Sequence, residues 1–424
     1  MADVQAFRAL RYDLGVVGSL QSVIAPPYDV IDPEQRAALA ARSSHNVVNI
    51  DLPEPPLGGD AYEEAARLLD LWKRQGAVTR DATPALWTLQ QDYTGPDGRQ
   101  LTRRGIFARV RVEEYGPGKI RPHERTHPGP KEDRLRLTRA TQTNLSPIFS
   151  LYDDPANAAW DALEPHLTTD PWGIATDADG TLNKLWRIED GAAIARVKMA
   201  LGETELLIAD GHHRYETARV YAEEIGGEGG AGGADFVLMC LVALQDPGLT
   251  IFPTHRLLNK VKEPGVQQKL GKYLREHFEI TRIEASELRP PDGSGPLTMG
   301  YFDSFHQQPY RLVLKDQALA NAALGDYPEP YRHLDTAVLE ALILQGVLGM
   351  TEDDIAHLDG LGYSRTDNEA LQLVQSKAYD CAFFLRASPV TQVQEIAAAG
   401  VNMPPKSTFF YPKVPTGLLF NPLV

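Results

Sequence analysis

The chain has 424 residues, too many for one simple core, so two or three packed units are expected. Its 43% hydrophobic and 23% charged residues are ordinary for a soluble globular protein. Set against 42 Lys and Arg, its 57 Asp and Glu give a net charge of −15, which argues against coating nucleic acid or anionic membrane, since both need a basic surface. Cys240 and Cys381, the only two cysteines, sit in apolar runs and exclude a disulfide framework or a cysteine zinc site; no stretch approaches the roughly eighteen apolar residues of a membrane span and no apolar signal core opens the chain, so a cytoplasmic protein is expected.

Taken in chain order, residues 24–31 place Pro26 and Pro27 between apolar pairs and predict an extended segment. Asp32 followed by Pro33 reads as an N-cap opening a helix to about residue 41. Residues 47–50 predict a strand, and residues 61–75 an amphipathic helix with Ala65, Leu68, Leu69 and Trp72 on one face. The runs 86–93 and 104–112 flank Gly95-Pro96-Asp97-Gly98 and predict a β-hairpin. A charged helix is expected at 132–140, a further helix at 155–164, strands near 184–188 and a helix from Gly191. Residues 206–209 predict a short buried strand that breaks at Asp210-Gly211, with a helix following to about residue 225.

A glycine-rich linker at 226–233 precedes a buried strand at 236–243 and a turn at Asp246-Pro247-Gly248. Pro264 opens a helix over 265–278, and residues 288–295 form the clearest linker, read as a domain boundary. Beyond it come a strand pair at 297–302 and 310–315, helices at 334–348 and 369–375, a strand at 382–385, a helix at 390–399 and an extended aromatic stretch at 404–413. Helices and strands mix throughout, so the fold class is α+β, or mixed α/β. Three parts are expected: an N-terminal α/β segment over 1–85, the hairpin and a central core over 86–288, and a C-terminal α/β unit over 297–424.

The densest chemistry is at Asp210-Gly211-His212-His213-Arg214. A strand, a tight glycine turn and a helix start make a ready anion site, to which His213 and Arg214 add donors suited to phosphate. An ordinary strand-to-helix turn with a polar cap has the same pattern. His123, Glu124, Lys131, Asp133, Arg134 and Asn144 gather within a short proline-rich span. Lys131 and Arg134 suit phosphate, and Glu124 or Asp133 suits magnesium or general-base work; a solvated loop leading into a charged helix is the plain alternative. His255 and Arg256, at a predicted strand end, are candidates for the same crevice as His213 and Arg214, or for packing. Lys406, Ser407, Thr408 and Lys413 add a basic cluster whose aromatic neighbours read as core.

His123-Glu124-Arg125-Thr126-His127 matches H-E-x-x-H, but Pro122 before it and Pro128-Gly129-Pro130 after it leave room for at most one helical turn. The helix that should carry both histidines and continue beyond them is not expected, and no metal site is assigned. No P-loop and no G-x-S-x-G elbow occurs.

Several ordered blocks make the chain resemble the domain-of-unknown-function 1015 family of bacteria and archaea along essentially its whole length. They are Ala25-Pro26-Pro27-Tyr28-Asp29-Val30, His123-Glu124-Arg125-Thr126 with Lys131-Glu132-Asp133-Arg134-Leu135, Asn144-Leu145-Ser146-Pro147-Ile148-Phe149, Asp210-Gly211-His212-His213-Arg214, Pro253-Thr254-His255-Arg256 and Met403-Pro404-Pro405-Lys406-Ser407-Thr408. Ile208-Ala209-Asp210-Gly211-His212-His213-Arg214 with Ala218 is also similar to the nucleotide-binding motif of the ParB/sulfiredoxin superfamily, which includes ParB-type CTP-binding switches, sulfiredoxin and free-serine kinases that use ADP or ATP. This second resemblance implies a ParB/sulfiredoxin-like nucleotide-binding core with insertions, in which the glycine turn and helix start hold nucleotide phosphates. Sulfiredoxin chemistry needs a cysteine where this sequence has His212, which removes that activity.

The expectation is nucleotide-dependent phosphoryl transfer to a small hydroxyl-bearing metabolite, such as free serine, using ATP or ADP with magnesium. Gly211, His212, His213, Arg214, Lys131, Arg134, His255 and Arg256 are the candidate nucleotide-binding residues, and Glu124, Asp210 and His213 the catalytic ones. Glu124 or Asp210 would orient or deprotonate the acceptor hydroxyl. A non-catalytic, ParB-type nucleotide switch is the alternative, and metal-dependent hydrolysis through His123 and His127 the third. Nucleotide and metabolite are the expected partners, with no nucleic acid and no membrane.

Overall fold

Residues 236–243 form a strand as predicted, buried at all eight positions, near the middle of a mixed sheet. A computed structural model describes residues 2–96, 98–124, 126, 128–202, 204–225, 232–293 and 295–424. The chain divides into two compact units: Met1–Pro122, Thr126–Thr250 and Pro412–Val424 in the first, His123–Arg125 and Ile251–Tyr411 in the second.

Among the described residues nine strands make up the main sheet of the first unit. They are β1 (Val4–Gln5), β2 (Leu86–Thr94), β3 (Gln100–Arg111), β4 (Ile120–Arg121), β5 (Ile148–Tyr152), β6 (Gly173–Thr176), β7 (Leu182–Ile188), β8 (Leu206–Asp210) and β9 (Phe236–Ala243). Their order is β4-β8-β5-β9-β3-β2-β7-β6, and β1 pairs with the far end of β3. The predicted hairpin is β2–β3, antiparallel, with Trp87 opposite Phe107 and Thr94 opposite Gln100. Strand period sends Ile106, Ala108 and Val110 of β3 to a core shared with Met239 and Leu241 and with Ala193, Val197 and Leu201 of the helix Gly191–Leu201. Arg103, Gly105 and Phe107 therefore face the other side.

The helix predicted after Asp32 spans Pro33–Arg42, with a reciprocal cap between Asp32 and Gln35. Ala61–Arg74 is helical and buries Ala65, Leu69 and Trp72, with Leu68 half-buried. Residues 47–50, expected as a strand, instead enter a helical turn, Val48–Asp51. The Asn46 side chain accepts the Val48 N–H at 3.0 Å and donates to the Ser22 and Ile24 carbonyls at 2.8 and 3.2 Å, so a side-chain-to-backbone turn just before the helix overrides the β preference of the valines. The charged helix starts earlier than expected and spans Pro128–Thr141. Prolines fit a first helical turn, where no N–H is needed, so the Pro128-Gly129-Pro130 run opens a helix rather than preventing one. The helix expected at 155–164 shrinks to Ala158–Asp161, because Asp154 accepts the Ala158 and Ala159 N–H groups at 3.0 and 2.8 Å and sets its start there. Most of the predicted glycine linker, residues 226–231, lies outside the described residues.

In the second unit six strands form an antiparallel sheet: β10 (His255–Leu258), β11 (Phe278–Arg282), β12 (Thr298–Asp303), β13 (Tyr310–Leu314), β14 (Leu361–Ser364) and β15 (Cys381–Phe384). Their order is β11-β13-β12-β15-β10-β14, and β12–β13 is the predicted strand pair. Leu257, Phe302, Ala382 and Phe384 pack there with Ala370 and Val374 of the helix Asp367–Gln375. Residues 288–295, read from composition as a boundary, run between β11 and β12 of this one sheet, and Leu288 is buried in its core. The helix predicted at 334–348 begins as Asp335–Leu339 and then widens to i→i+5 hydrogen bonds, with the Gly346 N–H on the Ala341 carbonyl at 3.1 Å. The architecture is mixed α/β. Among the described residues no helix is long and apolar enough to cross a membrane.

Candidate anion site

β8 is buried through residues 206–209 and stops at Asp210, whose side chain is only 13% exposed. Gly211 turns the chain at φ +97°, a region that favours glycine, and the helix His212–Ile225 begins. A Cβ on Gly211 would stand 3.0 Å from the Arg214 guanidinium, so the turn and the arginine share one packed space. Arg214 Nη2 donates to Asp210 Oδ2 at 2.5 Å, and Nη1 donates to Ser146 Oγ at 2.7 Å and to the Pro147 carbonyl. Lys413 Nζ donates to the other Asp210 oxygen. Burial alone would raise the Asp210 carboxyl, but the Lys413 and Arg214 cations, with His212 adding, outweigh it and hold the group well below the carboxylate range.

The helix Pro128–Thr141 carries Arg134 into the same unit. Its Nη1 donates to the Asp51 carbonyl at 2.7 Å and to Asp51 Oδ1 at 3.3 Å, and its Nε donates to Asp133 Oδ2 at 2.7 Å. The guanidinium lies 4.1 Å over the Tyr28 ring. Burial raises the Asp51 carboxyl against the pull of Arg134 and Arg214, and burial pushes the Tyr28 hydroxyl up to about 12. Arg134 and Arg214, with Asp51, Asn144, Ser146 and Thr217, line a chamber of about 40 Å³. Two guanidiniums thus line one small chamber of mixed polar and apolar walls, an arrangement suited to a small anionic group.

Of the residues named from sequence, Asp210, Gly211, His212, His213, Arg214, Lys131 and Arg134 belong to this unit. His212 is buried and His213 half-buried in the first helical turn; Lys131 sits three residues before Arg134 on its helix, and its carbonyl accepts the Thr217 hydroxyl at 3.4 Å. Glu124, His255 and Arg256 belong to the second unit. His255 Nδ1 accepts the Leu385 N–H at 3.1 Å, which leaves Nε2 to donate to Asp367 Oδ1 at 2.8 Å; burial lowers the imidazole despite that carboxylate. The Arg256 guanidinium donates to the carbonyls of Thr254, Lys406 and Pro405 at 2.6, 3.1 and 3.3 Å. Both side chains are engaged within their own unit.

His123 is buried in the second unit, with Nε2 2.8 Å from the Thr408 hydroxyl and its ring edge-on to Phe410. Arg125 and His127 of the H-E-x-x-H match lie outside the described residues. The helix that follows begins only at Pro128, so His123 precedes it rather than riding on it. Among the described residues no group of three His, Cys, Asp or Glu is placed to hold a metal ion.

Sequence reasoning missed the partners of Asp210, Arg214 and Arg134. Lys413 stood out as basic, but nothing local ties it to a residue 203 positions away. Asp51 was hidden just past residues read as a strand, and Ser146 and Tyr28 lay within recognised blocks without a role.

A mixed α/β chain with a strand–glycine–helix junction at Asp210–Arg214 is the class that the fold defines. The chain belongs to the family described as "Protein of unknown function (DUF1015)", whose model matches residues 4–337. Solved structures it is similar to include a conserved hypothetical protein from Pyrococcus furiosus, at 13% identity over 74% of this chain and 93% of that one, with a TM-score of 0.36. A free serine kinase in complex with AMP matches at 14% identity over 72% and 86% of the two chains, with a TM-score of 0.34. SbnI with a C-terminal truncation, from Staphylococcus aureus, matches at 11% identity over 73% and 84%, with a TM-score of 0.36. No curated protein matches the chain.

Proposed function

We propose that this protein binds a nucleotide at the Asp210–Arg214 junction and transfers a phosphoryl group from it to the hydroxyl of a small metabolite, with free serine a candidate acceptor. The observation that carries the reading is that Arg214 and Arg134 line one chamber, along with Thr217 and Ala218 from the first two turns of the helix His212–Ile225. A helix N-terminus and two fixed guanidiniums are the groups that would offset charge on a transferring phosphoryl. Magnesium would be held mainly by the nucleotide's own phosphates, since no acidic cage is preformed among the described residues.

Asp210 is a poor base in this scheme. A carboxyl held far below its usual range by two cations takes up a proton weakly, and its work is to fix Arg214 and Lys413. The full-length protein incubated with ATP or ADP, magnesium and a panel of hydroxy amino acids is expected to yield a phosphorylated acceptor, detected by mass. No phosphorylated product from any of them sinks the kinase reading.

One observation favours a second reading. Asp210 is already paired with both Arg214 and Lys413, which suits a nucleotide-binding switch that performs no chemistry. Calorimetric binding of a nucleotide without turnover selects it over the kinase.

A further inference from the structure

Arg103 lies on β3, facing away from Ile106, Ala108 and Val110, and is 1% exposed. Its guanidinium sits 4.4 Å over the Phe149 ring. Nε donates to the Gln91 side-chain carbonyl at 3.1 Å, and Nη2 donates to the same oxygen. Nη1 is buried with no hydrogen-bond partner among the described residues. Among the described residues a neutral amide is thus the sole acceptor for a fully buried cation. Burial lowers the guanidinium to about 10, against small pulls from Cys240, Tyr93, Asp246 and Asp210.

For folding alone this is a poor choice. A buried charge with no ion partner is among the most expensive groups to place in a core, and a well-packed apolar side chain of similar shape is commonly more stable. The carboxylates whose charges reach Arg103 are already committed. Asp246 pairs with Arg104 at 2.8 Å, and Asp210 is held between Arg214 and Lys413.

Two routes join Arg103 to the anion site within the first unit. Gln91, whose carbonyl holds Arg103, donates its amide to Asn183 Oδ1 at 2.8 Å and to the Lys413 carbonyl at 3.1 Å, and the Lys413 ammonium holds Asp210. Phe149, under the guanidinium, pairs with Asp210 across β5 and β8.

We propose that Arg103 is a positioning cation kept for the ligand. Its uncompensated charge raises the positive potential of the Asp210–Arg214 site, and it is balanced when the phosphate groups of a nucleotide bind there. Arg103 does not touch the ligand. It acts through its field, which burial leaves little screened by salt, and through the Gln91 bridge that fixes the Lys413 backbone. The inference rests on the anion-site reading of Asp210–Arg214.

The test compares full-length wild type with Arg103→Met and Arg103→Lys, by thermal melting without ligand and by calorimetric titration with ADP and with inorganic pyrophosphate. Without ligand, R103M is expected to melt above wild type, because the unpaired charge is gone. It is expected to bind both anions roughly tenfold or more weakly, while R103K, which keeps the charge, stays near wild type. A structural arginine reverses the first sign. An R103M that melts lower or does not fold overturns the proposal, as does an R103K that binds as weakly as R103M. A wild type that binds while R103M binds equally well overturns the inference alone. A wild type that binds neither anion removes the anion-site reading itself.

Discussion

At Gly211 the backbone and the Arg214 guanidinium compete for one space. Gly211→Ala puts a methyl 3.0 Å from that group and forces a non-glycine residue to φ +97°, so a loss of about 1–3 kcal/mol in urea unfolding is expected, with weaker nucleotide binding. Asp210 yields a pH-dependent prediction. Its folded carboxyl lies below the ordinary 3.8, so its contribution to stability is complete above about pH 4 and is lost as pH falls further, through the lowered folded value. Asp210→Asn leaves two half-buried cations without their carboxylate and is expected to cost about 2–4 kcal/mol at pH 7. The gap between wild type and D210N should narrow as urea titrations move from pH 4 towards pH 2; a gap independent of pH over that range would count against the ion pair. Asp210, Gly211 and Arg214 were legible in the sequence because strand end, glycine and helix start are consecutive. Lys413 and Arg103 were not, because their relation to Asp210 is made by a hydrogen-bond network and by strand pairing, not by spacing.

Helices with local start signals were readable, and those governed by a distant partner were not. Asp32 caps Pro33–Arg42 with Gln35 alone, and Asp32→Ala is expected to cost about 1 kcal/mol. Asn46 governs Val48–Asp51 by reaching back to Ser22 and Ile24, so Asn46→Ala strands a backbone N–H and two carbonyls and should cost more, about 2–3 kcal/mol. Chemical denaturation of the two variants side by side checks that order. The same turn carries Asp51 to Arg134, so N46A is also expected to weaken anion binding where D32A does not. Residues 47–50 read as a strand because Val47, Val48 and Ile50 favour one, and the turn held by the Asn46 side chain outweighed that preference. The Pro128-Gly129-Pro130 run misled in the opposite direction, since proline breaks a helix interior but suits its first turn.

Across the molecule, the C-terminal residues 412–424 belong to the first unit rather than to the second, which precedes them in sequence. Leu418, Leu419 and Phe420 are fully buried, Thr416 meets Ser146 at 2.9 Å, and Asn421 donates to Asn144 at 2.9 Å. A chain truncated before Pro412 loses these contacts together with Lys413. Each large apolar side chain alone contributes about 1.5–3 kcal/mol, so the truncated chain is expected to lose the cooperative melting of the first unit, as followed by circular dichroism. What the sequence determined by itself was local: the mixed α/β class, the β2–β3 hairpin, the buried β9 and the strand–turn–helix at Asp210, each written in period, caps and turn residues within a short window. The tertiary structure alone decided the strand order, the return of the C-terminus to the first unit, and the company of Asp210. Burial makes those choices, because a cation such as Arg103 or Lys413 acquires its role only when packing removes water and leaves it facing particular groups.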